Sequence, residues 1–133
     1  MPENGNVLLA TDGKPHSEKA TKYAYEYAKL HNATLFIVFV VSPKAEEDKE
    51  KVIQDGMRVL EKMKNEAAAH GIKVTTLLEA GNPYETILSA SDRVKAEAII
   101  VGTSGKTVLD RVLIGSVSEY VVRNSRCTVI VVK

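Results

Sequence analysis

The sequence predicts a doubly wound α/β domain, a five-stranded parallel sheet with helices on both faces. Three observations carry that expectation. Short apolar runs alternate with segments of helical periodicity, the order that produces right-handed crossovers between parallel strands. The first, second and fourth runs are apolar at nearly every position, as strands buried on both faces are. After the fourth run comes Gly102-Thr103-Ser104-Gly105, then nine residues, then Gly115-Ser116 at the head of a helical segment. A glycine-rich loop between a strand and a helix offers a nest of backbone N–H groups of phosphate size.

The elements follow in order. Val7 to Thr11 is the first strand. Ala20, Tyr23, Ala24, Tyr27 and Ala28 recur at helical spacing, and His31-Asn32 stops that helix. Thr34 to Val41, rich in β-branched residues and Phe, is the second strand, ended by Pro43. The charged run Lys44 to Lys51 reads as a solvated loop entering a long helix. Its apolar stripe is Val52, Ile53, Met57, Leu60, Met63 and Ala67, and Gly71 is its stop. Ile72 to Glu79 is the third strand. Asn82-Pro83-Tyr84-Glu85 supplies a cap, a first-turn proline and an acidic first turn for the next helix, with Ile87, Leu88 and Val94 on its stripe. Ala98 to Val101 is the fourth strand. Ser116 and Glu119 read as a capping box opening a helix to about Asn124, and Thr128 to Val132 is the fifth strand. No repeat, low-complexity tract or internal boundary interrupts residues 1–133, which read as one domain.

Composition narrows the function. A net charge of +1 gives no field to hold a nucleic-acid backbone or an anionic membrane, and an aromatic content of 5% without Trp gives no base-stacking platform. No apolar run approaches the roughly 20 residues of a membrane span. The opening residues lack an apolar signal region, so a cytoplasmic location is expected. The single Cys127 cannot form an internal disulfide.

In folds of this class, ligands bind beyond the carboxyl ends of the strands, where the strand order reverses beside the first strand. Asp12 follows the first strand and Gly102 the fourth, so both are expected at one crevice. Asp12, in Ala10-Thr11-Asp12-Gly13, is either a turn residue or an acceptor for a ribose hydroxyl or a base amino group. Ser116 is either a helix cap or a phosphate donor at the positive end of a helix, which carries about half a unit charge. Lys106 and Arg111 are either terminal-phosphate contacts or solvated loop charges. His16 stands near the same place, a weak indication of catalysis. His31 and His70 sit at helix ends, where a favourable dipole contact accounts for them. Gly105-Lys106-Thr107 is not a P-loop, because that motif needs a glycine at position 100, which is Ile. A phosphoacceptor receiver domain would want paired acids after the first strand and a Lys in a loop after the fifth; neither is present.

Val7-Leu8-Leu9-Ala10-Thr11-Asp12-Gly13, Ile99-Ile100-Val101-Gly102-Thr103-Ser104-Gly105 and Leu113-Ile114-Gly115-Ser116-Val117 together resemble the universal stress protein family over essentially the whole chain. The spacing G-x2-G-x9-G-S is similar to that of the family's ATP-binding branch. The resemblance implies a flavodoxin-like sheet of order 3-2-1-4-5 and ATP as ligand, accompanied by Mg or Mn, with the metal-binding residues left open. Ala10, Thr11 and Asp12 would approach the adenosine. The backbone near Val40 would meet the adenine edge, and Val101 and Gly102 would line the nucleoside. Gly105, Gly115, Ser116 and Val117 would hold the phosphates. Many relatives carry His where Ser104 stands and Pro where Thr128 stands; neither change removes a phosphate donor. In the order 3-2-1-4-5 the third and fifth strands are edges. The third carries Lys73, Thr75 and Thr76, whereas Thr128 to Val132 has no charge, so a homodimer paired through that strand is expected. The implied role is a cytoplasmic stress-response switch that an unidentified regulatory protein reads. A slow ATPase or phosphotransfer enzyme, and a nucleotide-free scaffold of the same fold, are the alternatives. Donors are present but no general base, so no catalytic residue is assigned.

Overall fold

A computed structural model describes residues 5–41, 48–103, 107–108, 111–112 and 115–133, with the backbone alone at 107–108 and 111–112. Pro43, the run 44–47, Ser104, Gly105, Lys106, Leu113 and Ile114 lie outside the described residues. The elements are β1 (Asn6–Thr11), a 3-10 turn (Pro15–Ser17), α1 (Glu18–His31), β2 (Thr34–Val41), α2 (Lys49–Ala69) and β3 (Val74–Ala80). They continue with α3 (Pro83–Val94), β4 (Ala96–Gly102), β5 (Thr107–Val108), β6 (Arg111–Val112), α4 (Ser116–Asn124) and β7 (Thr128–Val132).

Five strands form one parallel sheet in the order β3-β2-β1-β4-β7, and the expected flavodoxin-like topology holds, with β7 as the fifth run. Leu9 lies beside Ile37 on one side and Ile100 on the other. Alternation along the strands divides the core between the two faces. Val7 and Leu9 of β1 pack with Leu35, Ile37 and Ile100 under α1 and α2; Leu8, Val38, Ile99 and Val101 pack under α3 and α4. The alanines at 20, 24 and 28 are the buried face of α1 and seat it closely on the sheet. Among the described residues no helix is long and apolar enough to cross a membrane.

Several local expectations need correction. The segment between Gly102 and Gly115 is not all loop, because β5 and β6 pair antiparallel, with Thr107 opposite Val112. The helix α2 begins inside the charged run, since the Asp48 side chain accepts from the N–H groups of Glu50 and Lys51 and caps it there. Its buried face is Gly56, Leu60, Met63 and Ala67, whereas Ile53 and Met57 are 39% and 57% exposed. The reason is Gly56. A Cβ there would come within 2.9 Å of the Phe39 ring and 3.0 Å of Leu78, so the helix presses its glycine, not its larger neighbours, onto β2 and β3. Ser116 does not cap α4. The cap is Gly115, Ser116 is the first helical residue, and no side chain caps the helix. Glu119 is thereby one position too late for a capping box and pairs with Arg123 at 3.1 Å.

Tyr25 of α1 joins the two helices on one face. Its single hydroxyl proton is shared between the Met63 carbonyl at 3.2 Å and Glu66 Oε1 at 3.1 Å. Burial, then the hydrogen bond and the charge of Glu66, push this phenol well above its ordinary range. An unfolded tyrosine ionises near pH ~10, so above that pH the unfolded chain loses a proton the native state keeps. Stability is therefore full below about pH 10 and falls as pH rises toward the native value. Thermal melts between about pH 9 and 11 should show a shallower loss in Tyr25→Phe than in the wild type; parallel losses would contradict this assignment.

Candidate functional site

The strand order reverses at β1, whose neighbours β2 and β4 lead to opposite halves of the sheet. Beyond their carboxyl ends lies a crevice of about 310 Å³, within the usual size range of small-molecule sites. Its floor is apolar: Ala10, Val38, Val40, Ile87 and Val101. One side is formed by Asp12, His16 and Ser17, the other by Gly115, Ser116, Val117 and Ser118 at the start of α4. Nine of the ten residues singled out in the sequence thus surround one cavity: Ala10, Thr11, Asp12, Val40, Val101, Gly102, Gly115, Ser116 and Val117. Gly105, the tenth, lies outside the described residues.

The turn after β1 holds Asp12 from several directions. Its Oδ1 accepts from the Lys14 N–H at 2.9 Å and from Ser17 Oγ at 3.2 Å. Its Oδ2 meets His16 Nε2 at 2.9 Å. Each carboxylate oxygen has two acceptor sites, so the group still accepts from a ligand hydroxyl. Gly13 makes the turn possible: its φ is +73°, and an added Cβ would lie 2.9 Å from Val59. The other His16 nitrogen, Nδ1, is 3.2 Å from the Thr103 carbonyl oxygen. An oxygen acceptor faces each ring nitrogen. One side chain thereby ties the turn after β1 to the end of β4.

At the opposite rim, Gly115 and Ser116 open α4, whose first N–H groups have no partner within the helix. Ser118 Oγ donates to the Gly115 carbonyl at 3.0 Å. The Ser116 hydroxyl, free of any capping role, lies 3.0 Å from the Tyr84 hydroxyl. Gly102 is less constrained than a phosphate-loop glycine need be. A Cβ there would make ordinary 3.5 Å contact with Ala20.

His16, which the sequence places near the site, lines the crevice, and so do Ser17, Val38, Pro83, Ile87, Thr103 and Ser118, which the sequence does not single out. Val38 was within reach, because strand alternation puts it on the same face as Val40. His16 lies four residues after Asp12 across a Pro-containing turn. Pro83 and Ile87 depend on how α3 packs, which no local pattern reveals. Among the described residues no group of three or more His, Cys, Asp or Glu side chains could hold a metal ion.

Sheet and crevice together define a doubly wound α/β protein with an open cleft at its switch point. Comparison with known proteins makes the class specific. The model of the universal stress protein family matches residues 3–133. The universal stress protein MJ0531 of Methanocaldococcus jannaschii is 36% identical over 137 residues, covering 96% of this chain and 81% of the relative. The chain belongs to the universal stress protein family. Among solved structures, the hypothetical protein MJ0577 matches with a TM-score of 0.84 and 28% identity over 98% of this chain and 96% of that one. A universal stress protein in complex with cAMP matches with a TM-score of 0.78 and 27% identity over 97% of each chain.

Proposed function

We propose that this chain is a nucleotide-binding regulatory protein whose crevice takes an adenine nucleotide, with ATP the intended ligand. The observation that carries the reading is the pairing, across one apolar cleft, of a fixed carboxylate at Asp12 with the open first turn of α4 at Gly115 and Ser116. The cAMP complex of a 27% identical relative supports the same ligand class. The adenine would lie on Val38, Val40 and Val101, the ribose hydroxyls at Asp12, and the phosphates toward Gly105, Gly115, Ser116 and Val117. The described part of the chain offers no cage for a metal. Mg or Mn would accompany the phosphates and keep several of its waters, as Mg2+ commonly does. Titration calorimetry with adenosine, AMP, cAMP, ADP, ATP and GTP, with and without Mg2+, tests the reading. Adenine nucleotides should bind more tightly than GTP; no detectable heat with any adenine compound at millimolar concentration would refute it.

The wider role follows from two states of that site: a cytoplasmic switch in one domain spanning 1–133, where bound nucleotide favours one arrangement of the segment from Gly102 to Gly115 and a regulatory partner reads it. The switch operates as a homodimer through β7. Among the described residues that strand pairs only with β4. The Val132 carbonyl accepts from the Thr103 N–H at 3.2 Å, so alternation turns the peptide groups of Val129 and Val131 to the free edge. An apolar strand with such an edge is a template for a second copy. Proline at Val131 deletes an outward N–H without touching the β4 ladder. Val131→Pro should sediment as a monomer at concentrations where the wild type is a dimer, with nucleotide affinity retained. A monomeric wild type, or a dimer indifferent to the substitution, would exclude this interface.

A further inference from the structure

The Ser116 hydroxyl stands at the first position of α4 without a capping partner, yet it is not left to rotate. The Tyr84 hydroxyl meets it at 3.0 Å. Tyr84 is itself held from three sides. Its backbone N–H donates to Asn82 Oδ1 at 2.8 Å, Pro83 before it fixes the first turn of α3, and its ring stands edge-on to Tyr120 with centroids 5.3 Å apart. Tyr120 lies four residues after Ser116, on the same side of α4. The starts of α3 and α4 are thus joined by a hydroxyl pair and an aromatic pair. Both Pro83 and Ser116 line the crevice.

We propose that Tyr84 is a positioning residue for phosphate recognition: its phenol fixes the rotamer of Ser116, so that the serine hydroxyl donates toward a phosphate at the start of α4. This rests on the nucleotide reading above. A serine on an exposed helical turn otherwise divides among staggered rotamers. With the tyrosine donating to Ser116 Oγ, the serine's own proton is directed away from α3, and donation into its oxygen strengthens the bond it makes in turn. Tyr84 does not need to touch the ligand, and nothing at the adenosine end depends on it. Its effect is therefore selective for the phosphorylated part of the ligand.

The test is a calorimetric cycle on the full chain with adenosine, AMP and ATP. Tyr84→Phe keeps the ring and its contact with Tyr120 and removes only the hydroxyl. Affinity for AMP and ATP should fall about 3- to 10-fold, the size of one neutral hydrogen bond, while adenosine binds as before. On a Ser116→Ala background the same change should have no further effect, because the group it positions is gone. Equal losses for adenosine and AMP would overturn the proposal, as would an additive loss in the double variant or unchanged nucleotide affinity in Tyr84→Phe, each with the nucleotide reading intact. Absence of any adenine-compound binding by the wild type would overturn both.

Discussion

Leu9→Ala is expected to remove about 2–5 kcal/mol of stability, a large part of the roughly 5–15 kcal/mol that holds a domain together. Leu9 is fully buried in the middle of the central strand. It lies between Ile37 and Ile100 on neighbouring strands and beneath the small face of α1. Alanines at 20, 24 and 28 have no long side chains to swing into the space, so the cavity persists and its cost adds to the lost transfer energy. Urea unfolding should show a lower midpoint with an unchanged slope, and the melting temperature should drop by on the order of ten degrees. A midpoint within error of the wild type would mean that the two sides of the sheet collapse onto the vacancy, contrary to the packing described.

The second large effect concerns ligand. Ser116→Ala should weaken binding of phosphorylated adenine nucleotides roughly 10- to 100-fold, corresponding to about 1.5–3 kcal/mol for a hydrogen bond to a charged group. The substitution is unusually clean. Gly115, not Ser116, caps α4, so no cap is lost, and alanine is the better helix former. Ser116 is exposed, and the Tyr84 hydroxyl it leaves behind can turn to water. Stability of the ligand-free protein should therefore be unchanged or slightly higher while calorimetry records the loss. Unchanged nucleotide affinity would remove Ser116 from the phosphate contacts. A fall in stability without ligand that persists on a Tyr84→Phe background would reinstate it as a helix cap.

Particular residues mark where the sequence was readable. The bounds of β2 and β7 follow from their composition, since continuous β-branched and aromatic runs between turn signals leave little choice. Asn82-Pro83 fixed the start of α3 by side-chain chemistry that acts within two residues, and the Asn82 cap is formed as read. The crevice was legible because topology alone brings the ends of β1 and β4 together. Two of the failures depend on distances between elements, and one on the register of a helix start. The stripe of α2 was drawn through Met57, but hydrophobicity cannot show that Gly56 is the point of closest approach to Phe39. Ser116 and Glu119 match a capping box only if the helix starts one residue later, and helix starts are local to within about that error. The Tyr84–Ser116 pair joins residues 32 positions apart on two helices whose contact has no signature in either.

The edge-on pair of Tyr84 and Tyr120 has a practical consequence. The chain contains no tryptophan, so its ultraviolet emission comes from five tyrosines. None of the five lines the cleft itself, and three of them, Tyr23, Tyr25 and Tyr27, belong to α1. The other two stand beside the start of α4. Their quantum yield depends on what the phenol hydroxyls bond to, so a ligand that rearranges the Ser116 hydroxyl changes the emission of the unlabelled protein, against a steady background from α1. Under the nucleotide reading, the molecule would carry its own optical reporter, and titration of the unlabelled protein with AMP should change its tyrosine emission.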